Sequence, residues 1–508
     1  IAMAGAVVVP IYPTNSPQEC AWVLGDSEAV AVICEDAAQA AKVAAVRERL
    51  PRLRDVVTIE PAAGLTDVAT LRERGWARIG GREELEARWR AVAPDDLFTI
   101  VYTSGTTGPP KGCLLDHGGY RAGIDMVRAR DVFEGERDLI YLFLPLAHSF
   151  ALLIQLAGCD AGAAIAYFGG DTSRVVAELA ECRPTYLPAV PRIFEKLHRR
   201  VCADVEPATL RRATAIGGEV ERLRRAGASV PPVLQAQYDR FDATLFARVR
   251  AAFGGRLRQA ATGAAPIAPE ILEFFWACGV PVMEGYGMTE TATAVTASSP
   301  GDHRFGTVGR AVPGAQLRLA ADGELLVRSP SLFRGYHGRA DATAEALVDG
   351  WLKTGDLAAI DADGWVTITG RKKEIIITAG GKNLSPANIE NELKQCRWVA
   401  QAVMHGDRRP YPVMLVTLDP EEIVPWARAQ GLDGDLAALA REPRVHALVQ
   451  AALDRVNARY APVEQVKKFF VLERELSQRH GELTASAKVR RAAVDALHAE
   501  RFDALYAR

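Results

Sequence analysis

The residues best suited to chemistry lie between positions 102 and 112, which read Tyr-Thr-Ser-Gly-Thr-Thr-Gly-Pro-Pro-Lys-Gly. Glycines allow backbone conformations that other residues avoid, so successive N–H groups can turn toward an anion. Hydroxyl groups add hydrogen-bond donors, and a lysine supplies a cation. The sequence therefore predicts a loop that holds a polyphosphate, formed by Thr103, Ser104, Gly105, Thr106, Thr107, Gly108 and Lys111.

The spacing of this loop excludes a Walker A motif. That motif needs Gly-Lys-Ser/Thr opening directly into a helix, whereas two prolines separate Gly108 from Lys111 here. The apolar run 97–102 before the loop predicts a buried strand. For a generic Gly-rich string, a flexible surface turn is the alternative interpretation.

A second candidate group follows the short apolar run 280–283, a predicted strand. The segment 284–290 reads Glu-Gly-Tyr-Gly-Met-Thr-Glu, and we expect a polar loop there because ligands bind at the carboxyl ends of parallel strands. Glu290 offers a carboxylate for Mg²⁺, Thr289 a donor to phosphate and Tyr286 a ring on which a base could stack. A turn with a solvated glutamate is the alternative.

Three further features are weaker when taken alone. Small residues fill 259–266, where a flat ligand or a close helix–strand crossing would suit them equally. Asp356 could accept two ribose hydroxyls or could cap a turn. Lys488, among small residues before a predicted helix, reads by itself as a solvated cation.

The elements that must position these residues alternate between strands and helices. Apolar runs at 5–11, 29–34, 139–144, 163–168 and 186–190 predict strands, and helical segments between them indicate a parallel sheet. Residues 202–258 show helical periodicity and almost no strand signal, which predicts a helical insertion. From about residue 300 the pattern becomes antiparallel, and beyond residue 371 it indicates a small α+β domain.

Bulk composition sets broader limits. The chain has 508 residues, which favours at least two domains. Its 61 basic and 63 acidic residues give a net charge of −2, so no overall field attracts nucleic acid. Eight scattered cysteines favour a reducing compartment. The longest apolar region, 139–168, contains polar residues and glycines that argue against a membrane span. Because Ile1 opens a segment that reads as part of a fold, we expect residues before it.

Taken together in their order along the chain, these sequence segments resemble those of the adenylate-forming superfamily of acyl-CoA synthetases, luciferases and peptide-synthetase adenylation domains. The resemblance runs from near residue 1 to about residue 495. Residues 144–150, Leu-Pro-Leu-Ala-His-Ser-Phe, and the insertion are most similar to bacterial long-chain fatty-acid–CoA ligases. The resemblance implies an α/β fold in which residues 1–370 form a large domain of parallel α/β layers with a small β-barrel-like part. It implies that residues 371–508 form a small, mobile α+β lid.

The resemblance also implies the reaction: a long-chain fatty acid becomes acyl-AMP at the expense of ATP, and CoA then forms the thioester. Lys488, Thr289, Glu290 and Lys111 would be catalytic, with Glu290 holding Mg²⁺, Lys373 as the hinge and His148 near the acyl pocket. Gly380 and Gly381 would border the path of CoA. The implied nucleotide-binding residues are the loop 103–108 together with Gly263, Ala264, Ala265, Glu284, Gly285, Tyr286, Gly287, Asp356 and Arg371.

The sequence leaves alternatives for the group that accepts the acyl chain, for the acid and for the location of the protein in the cell. A ligase that loads an acyl carrier protein, a catalytically inactive adenylate- or lipid-binding regulator, and an aryl or short-chain acid synthetase are the alternatives. The expected partners are a fatty acid and CoA, with no nucleic acid. We expect a cytoplasmic protein, and the resemblance leaves open peripheral association with the inner membrane face and a homodimer.

Overall fold

A computed structural model of the chain describes residues 1–78, 80–103, 109–202, 204–379, 382–432, 434–484 and 487–507, with only the backbone at Thr172. Up to residue 371 the structure is built on a seven-stranded sheet. Its five strands from Val282–Gly287 to Ala164–Tyr167 run parallel, and two antiparallel strands extend one edge. The strands, in sheet order, are Arg310–Ala311, Ala294–Ala297, Val282–Gly287, Gln259–Thr262, Tyr186–Ala189, Leu139–Leu142 and Ala164–Tyr167.

Three smaller sheets surround the central one. A parallel sheet contains Ala31–Cys34, Asp55–Thr58 and Thr66–Asp67. An antiparallel sheet contains Leu97–Thr103, Lys111–Asp116 and Gly335–Tyr336. A second antiparallel sheet contains Gln316–Leu319, Glu324–Arg328, Leu347–Val348, Trp351–Ile360 and Val366–Arg371.

Most of the helices before residue 371 bury apolar residues, whereas Val68–Trp76, Gly81–Ala91 and Ala340–Ala346 bury none. Before residue 371 and outside the insertion, the helices are Pro17–Asp26, Ala37–Ala44, Val68–Trp76, Gly81–Ala91, His117–Arg128, Ser149–Ala161, Val175–Cys182, Pro191–Cys202, Pro269–Ala277 and Ala340–Ala346. The segment 202–258 agrees with its prediction, since it contains the helices Pro207–Arg225, Pro232–Phe241 and Ala247–Ala252 and the π-helical turn Asp242–Phe246. Its buried residues Ile216 and Phe246 join the same core as the central-sheet residue Leu187, so the insertion is fixed to the sheet.

Beyond residue 371 the buried residues form separate clusters. One contains Ile389, Met414 and Val449, and another contains Val413 and Phe502. The strands are Ile376–Ile377, Asn383–Leu384, Val399–His405, Val413–Leu418 and Lys468–Leu472. The helices are Pro386–Lys394, Pro420–Ala429, Leu436–Leu439, Pro443–Asn457, Arg491–Leu497 and Ala499–Tyr506. We refer to residues 371–508 as the lid, after the role that the resemblance implies for them.

Two predictions about strands were wrong. Residues 5–11 do not form a strand, because only Val8 pairs, in an isolated bridge to Thr99, and Pro10, two residues later, lacks the backbone donor that would extend the pairing. The strand predicted over 280–283 instead runs through Val282–Gly287. In the described part of the chain, no helix has both the length and the apolar character needed to cross a bilayer.

Candidate functional site

The strand Val282–Gly287 carries four predicted nucleotide-binding residues, so the polar loop expected there is a strand instead. The strand continues through this end because Gly285 lies opposite Ala297 and Tyr286 lies opposite Thr296 in an antiparallel pair, and the register shifts between Tyr286 and Gly287. A side chain at Gly287 would meet the Thr293 carbonyl oxygen at 2.2 Å. Glycine is therefore needed where the two strands approach each other.

Asp356 and Arg371 lie opposite each other on the adjacent strands Trp351–Ile360 and Val366–Arg371. The Arg371 Nε lies 3.1 Å from Asp356 Oδ1, and the Tyr286 hydroxyl donates a hydrogen bond to Asp356 Oδ2 at 2.6 Å. Burial raises the pKa of Tyr286 well above its usual value, and the charge of Asp356 adds to the effect. Since a carboxylate has about four acceptor positions, Asp356 keeps capacity for ligand hydroxyls beside these two contacts.

Glu290 is buried and contacts Tyr336, whose ring lies beside Lys111. The Tyr336 hydroxyl donates to Glu290 Oε1 at 2.8 Å, and the Lys111 Nζ lies 4.9 Å from the centre of the Tyr336 ring. Burial raises the pKa of the Glu290 carboxyl, while the Tyr336 hydrogen bond opposes that shift. Sequence reasoning missed Tyr336, because nothing in its local sequence marks it. The pairing of Tyr336 with Cys113 and the hydrogen bond from the Phe333 N–H to the Glu290 carbonyl at 2.8 Å bring it to Glu290.

The small residues 263–265 follow the strand Gln259–Thr262 at the same edge of the central sheet. A side chain at Gly263 would meet the Gly285 carbonyl oxygen at 2.9 Å, and Ala264 has a φ of +66°. Ala265 is exposed beside them. Close backbone packing thus accounts for part of this composition, and an exposed small surface remains next to Tyr286.

Other predicted residues lie around this edge. Thr289 begins the short helical turn Thr289–Thr291 that also carries Glu290. Burial raises the pKa of Glu284 to about 8, so this carboxyl takes up a proton more readily than an exposed glutamate does. Thr103 and Lys111 lie opposite each other on paired strands. The intervening loop residues Ser104, Gly105, Thr106, Thr107 and Gly108 lie outside the described residues.

Lys488 comes from the lid on a short hairpin in which Leu483 pairs with Val489. The Lys488 N–H donates to Thr484 Oγ1 at 3.0 Å, and the Lys488 carbonyl accepts from the Thr484 N–H at 2.8 Å. Ala487 has a φ of +58°, which turns the chain just before the lysine. The residue keeps exposed surface, so a substrate can reach it, although the protein around it displaces much of the water near its ammonium group.

The base of this lysine hairpin, which we define as residues 482–490, is held by Glu482. This carboxylate is fully buried and accepts from Arg474 at 2.6 and 2.8 Å, from the Ser477 N–H at 3.0 Å and from His498 at 2.8 Å. The Glu482 carbonyl also accepts from the Arg490 N–H at 2.8 Å. These donors lower the pKa of Glu482 to about 2 even though burial alone would raise it.

The lid brings Lys488 to the groups on the central sheet. The pKa of Lys488 is lowered first by burial and then by the charge of Arg371, while the charges of Asp356 and Glu290 oppose the shift. Burial and the charge of Lys488 also lower the pKa of His148 to about 4, so the imidazole is neutral at physiological pH. The His148 Nδ1 accepts from the Phe150 N–H at 3.2 Å and caps the helix Ser149–Ala161.

The remaining predicted residues lie at the start of the lid. Lys373 is exposed in the helical turn Lys372–Glu374, directly after the strand that ends at Arg371. Gly380 and Gly381 lie outside the described residues. Direct contacts and charge interactions therefore link the predicted residues across the boundary between the central sheet and the lid, which we call the cleft: Lys111, Tyr286, Glu290, Asp356, Arg371, His148 and Lys488.

Comparisons with known proteins cover this whole arrangement. The AMP-binding enzyme family matches residues 1–337, and the AMP-binding enzyme C-terminal domain matches residues 373–508. A long-chain-fatty-acid–CoA ligase, FadD15 of Mycobacterium bovis, is 39% identical over 516 aligned residues that cover 100% of this chain and 85% of the relative. Long-chain-fatty-acid–CoA ligase 6 of Mus musculus is 31% identical, covering 98% of this chain and 75% of the relative.

Solved structures agree on the fold. The crystal structure of the adenylation domain of a carboxylate reductase from Mycobacterium chelonae has a TM-score of 0.71 and is 22% identical. That comparison covers 99% of this chain and 77% of the reductase chain. With two family domains matched and relatives aligned along its length, the chain belongs to the AMP-binding enzyme family.

Proposed function

We propose that the chain joins a long-chain fatty acid to CoA through an acyl-AMP intermediate, releasing AMP and pyrophosphate. The observation that carries the proposal is the convergence of Lys488 from the lid on Asp356, Arg371 and Glu290. Relatives that are named long-chain-fatty-acid–CoA ligases along the full chain support the substrate class.

The first half-reaction brings together two anions, the fatty acid carboxylate and the α-phosphate of ATP. A cation placed where negative charge develops lowers the barrier to such a step. Lys488 would supply that charge from the lid, and Lys111 would act at the β- and γ-phosphates. Asp356 would accept the ribose hydroxyls, with Arg371 beside it and Tyr286 next to the base. Thr289 would donate to the α-phosphate.

Mg²⁺ suits the donor set at Glu290. Among the described residues, no group of three or more His, Cys, Asp or Glu side chains could hold a metal ion, so a protein-only cage is absent there. Mg²⁺ commonly binds through one or two carboxylates and the phosphates of a substrate. We propose that Glu290 holds it, since the Tyr336 hydrogen bond occupies only part of its acceptor capacity. When bound, the ion would offset the charge of the phosphates.

The second half-reaction needs the thiol of CoA to reach the acyl-adenylate. AMP is a good leaving group, so no protein nucleophile is needed. Lys488 would have to leave the cleft to make room, with rotation of the lid about Lys373 and with Gly380 and Gly381 bordering the entry path. We therefore propose that residues 371–508 move as a unit, in agreement with their separate buried clusters.

The test is mass spectrometry of the products formed from ATP, Mg²⁺ and a mixture of short to long fatty acids, with and without CoA. We expect acyl-CoA from the long acids. Acyl-AMP that accumulates regardless of CoA would instead indicate a ligase for a carrier protein. The absence of both products across the mixture would contradict the proposal.

Peripheral membrane association and a homodimer stay predictions. The side chain of Trp76 is 85% exposed on the helix Val68–Trp76. Trp89 is also exposed on the next helix, Gly81–Ala91, which suits a membrane–water interface. Cosedimentation with anionic vesicles tests the first prediction, and the mass of the protein in solution tests the second.

A further inference from the structure

The helix Pro191–Cys202, which we call the docking helix, has two faces of opposite character. Phe194 and Leu197 are buried in the core formed with the insertion and the central sheet. Charged residues recur on the other side at spacings of three and four, so they form one stripe along the helix. The stripe consists of Arg192, Glu195, Lys196 and Arg199.

Part of this stripe faces the lid, while Arg192 and Lys196 keep exposed surface. The Arg199 guanidinium donates to Asp419 Oδ2 at 3.1 Å, and the Lys196 Nζ lies 2.7 Å from Glu421 Oε2. The Arg199 and Asp419 side chains are only 20% and 13% exposed. Burial raises the pKa of Glu195, while the positive charge of Lys394 on the lid opposes the shift.

The lid side of this contact is itself well ordered by local bonds. Asp419 begins the helix Pro420–Ala429 and accepts from the Glu421 N–H at 3.1 Å. The Asp419 N–H donates to the Trp398 carbonyl at 3.0 Å, next to the strand Val399–His405. The position of Asp419 is therefore coupled to the position of the sheet of the lid.

A single covalent connection, at about residue 371, leaves a lid free to rotate. A second contact away from that connection defines its orientation, and a partly buried ion pair between charged groups is sensitive to small displacements. The ion pair of Arg199 and Asp419 is present in the same placement of the lid in which the charges of Arg371, Asp356 and Glu290 act on Lys488.

We propose that the charged stripe of the docking helix is the docking surface for the lid, and that Arg199 and Asp419 are positioning residues that hold Lys488 at the site of acyl-AMP formation. The inference rests on the proposed function for its catalytic consequence. Release of this contact would accompany the departure of Lys488 before the thiol reacts.

Two variants test the contact by charge. Arg199→Glu places a carboxylate against Asp419, and Asp419→Asn removes the charge while keeping a good helix cap. Arg200→Glu is the matched control, because Arg200 is exposed at the next position of the same helix. We expect Asp419→Asn to be mildly harmful in the wild-type protein and beneficial in the Arg199→Glu background. A purely structural loss of stability would not reverse sign in this way.

Hydrogen exchange measures docking without any substrate. In Arg199→Glu we expect the amides at 421–423 to exchange about fivefold to tenfold faster than in Arg200→Glu, with partial recovery in the double variant. Equal exchange in Arg199→Glu and Arg200→Glu would overturn the docking contact. This readout decides the contact even if the complete protein makes no acyl-AMP.

The half-reactions then test the positioning role. Arg199→Glu should slow acyl-AMP formation about tenfold and leave conversion of supplied acyl-AMP to acyl-CoA at least as fast as in the wild type. A parallel loss in both half-reactions would overturn the positioning role. Unchanged acyl-AMP formation would overturn it as well.

Discussion

The two sides of the cleft hold their functional residues by different means. On the central-sheet side, Asp356 and Arg371 are fixed by their register on adjacent strands, and Tyr286 lies on a strand of the central sheet. On the lid side, Lys488 lies on a hairpin with a single described bridge, which the buried Glu482 anchors through its side chain. Main-chain ladders tolerate the loss of one side chain better than a charge network does.

The largest expected effect is on the lid side. Lys488→Ala should slow acyl-AMP formation by about a hundredfold to a thousandfold, because a preorganised charge is removed where negative charge develops. Conversion of supplied acyl-AMP to acyl-CoA should change little. Rates of the separate half-reactions measure this, and Lys467→Ala, at an exposed lysine of the lid, is the control. Equal losses in both half-reactions would refute the assignment of Lys488.

The anchor of the lysine hairpin gives the next largest effect. Removing one partner from the buried cluster around Glu482 leaves Arg474 with an uncompensated charge. Glu482→Gln should lower the free energy of unfolding of the lid by about 3 kcal/mol at neutral pH, since a pKa lowered from 4.5 to about 2 corresponds to that amount. Glu473→Gln, at a carboxylate that pairs with Arg501, is the control.

The pH dependence of the stabilisation by Glu482 follows from the direction of its pKa shift. The pKa of Glu482 is lower in the folded state than its usual 4.5, so its contribution is complete above that pH and is lost as the pH falls toward 2. Urea unfolding between about pH 6 and pH 2 should show the wild type losing its advantage over Glu482→Gln across this window. A constant difference across the window would contradict the role of Glu482.

On the central-sheet side, Asp356→Asn should weaken nucleotide binding about tenfold to a hundredfold, because hydrogen bonds to a charged acceptor contribute about 1.5–3 kcal/mol. The fold should persist, since Asp356 is also held by its strand. Calorimetry of ATP binding measures the change. Asp361→Asn, just beyond the same strand, is the control. Unfolding of Asp356→Asn would show that this side also depends on side-chain charges.

Local patterns in the sequence predicted much of the fold. The family and the α/β fold are confirmed by relatives along the whole chain, and the predicted ligase activity agrees with their names. Apolar runs located strands such as Leu139–Leu142 and Tyr186–Ala189 within a few residues. Periodicity also located the helical insertion, because its buried face repeats within the segment.

The errors and omissions concern contacts between distant segments. The strand through Gly287 depends on pairing with Ala294–Ala297, which no local pattern reveals. Tyr336 and Glu290 are 46 positions apart, and Arg199 and Asp419 are 220 apart. The register of strands and the placement of the lid bring such residues together. The sequence indicates which residues could do chemistry but not which neighbours hold them.

The smallest expected effect comes from Tyr336, which joins Glu290 to Lys111. Tyr336→Phe keeps the ring beneath the lysine and removes only the hydroxyl that donates to Glu290. Because a hydrogen bond of this kind contributes about 1 kcal/mol, we expect the Mg²⁺ concentration for half-maximal acyl-AMP formation to rise about fivefold. Tyr238→Phe, at a buried tyrosine of the insertion, is the control. A different outcome would be an altered rate at saturating Mg²⁺ with an unaltered Mg²⁺ requirement. The Tyr336 hydroxyl would then affect the chemical step and not the orientation of Glu290. The central-sheet side would then also depend on a side-chain contact, as the lid side does.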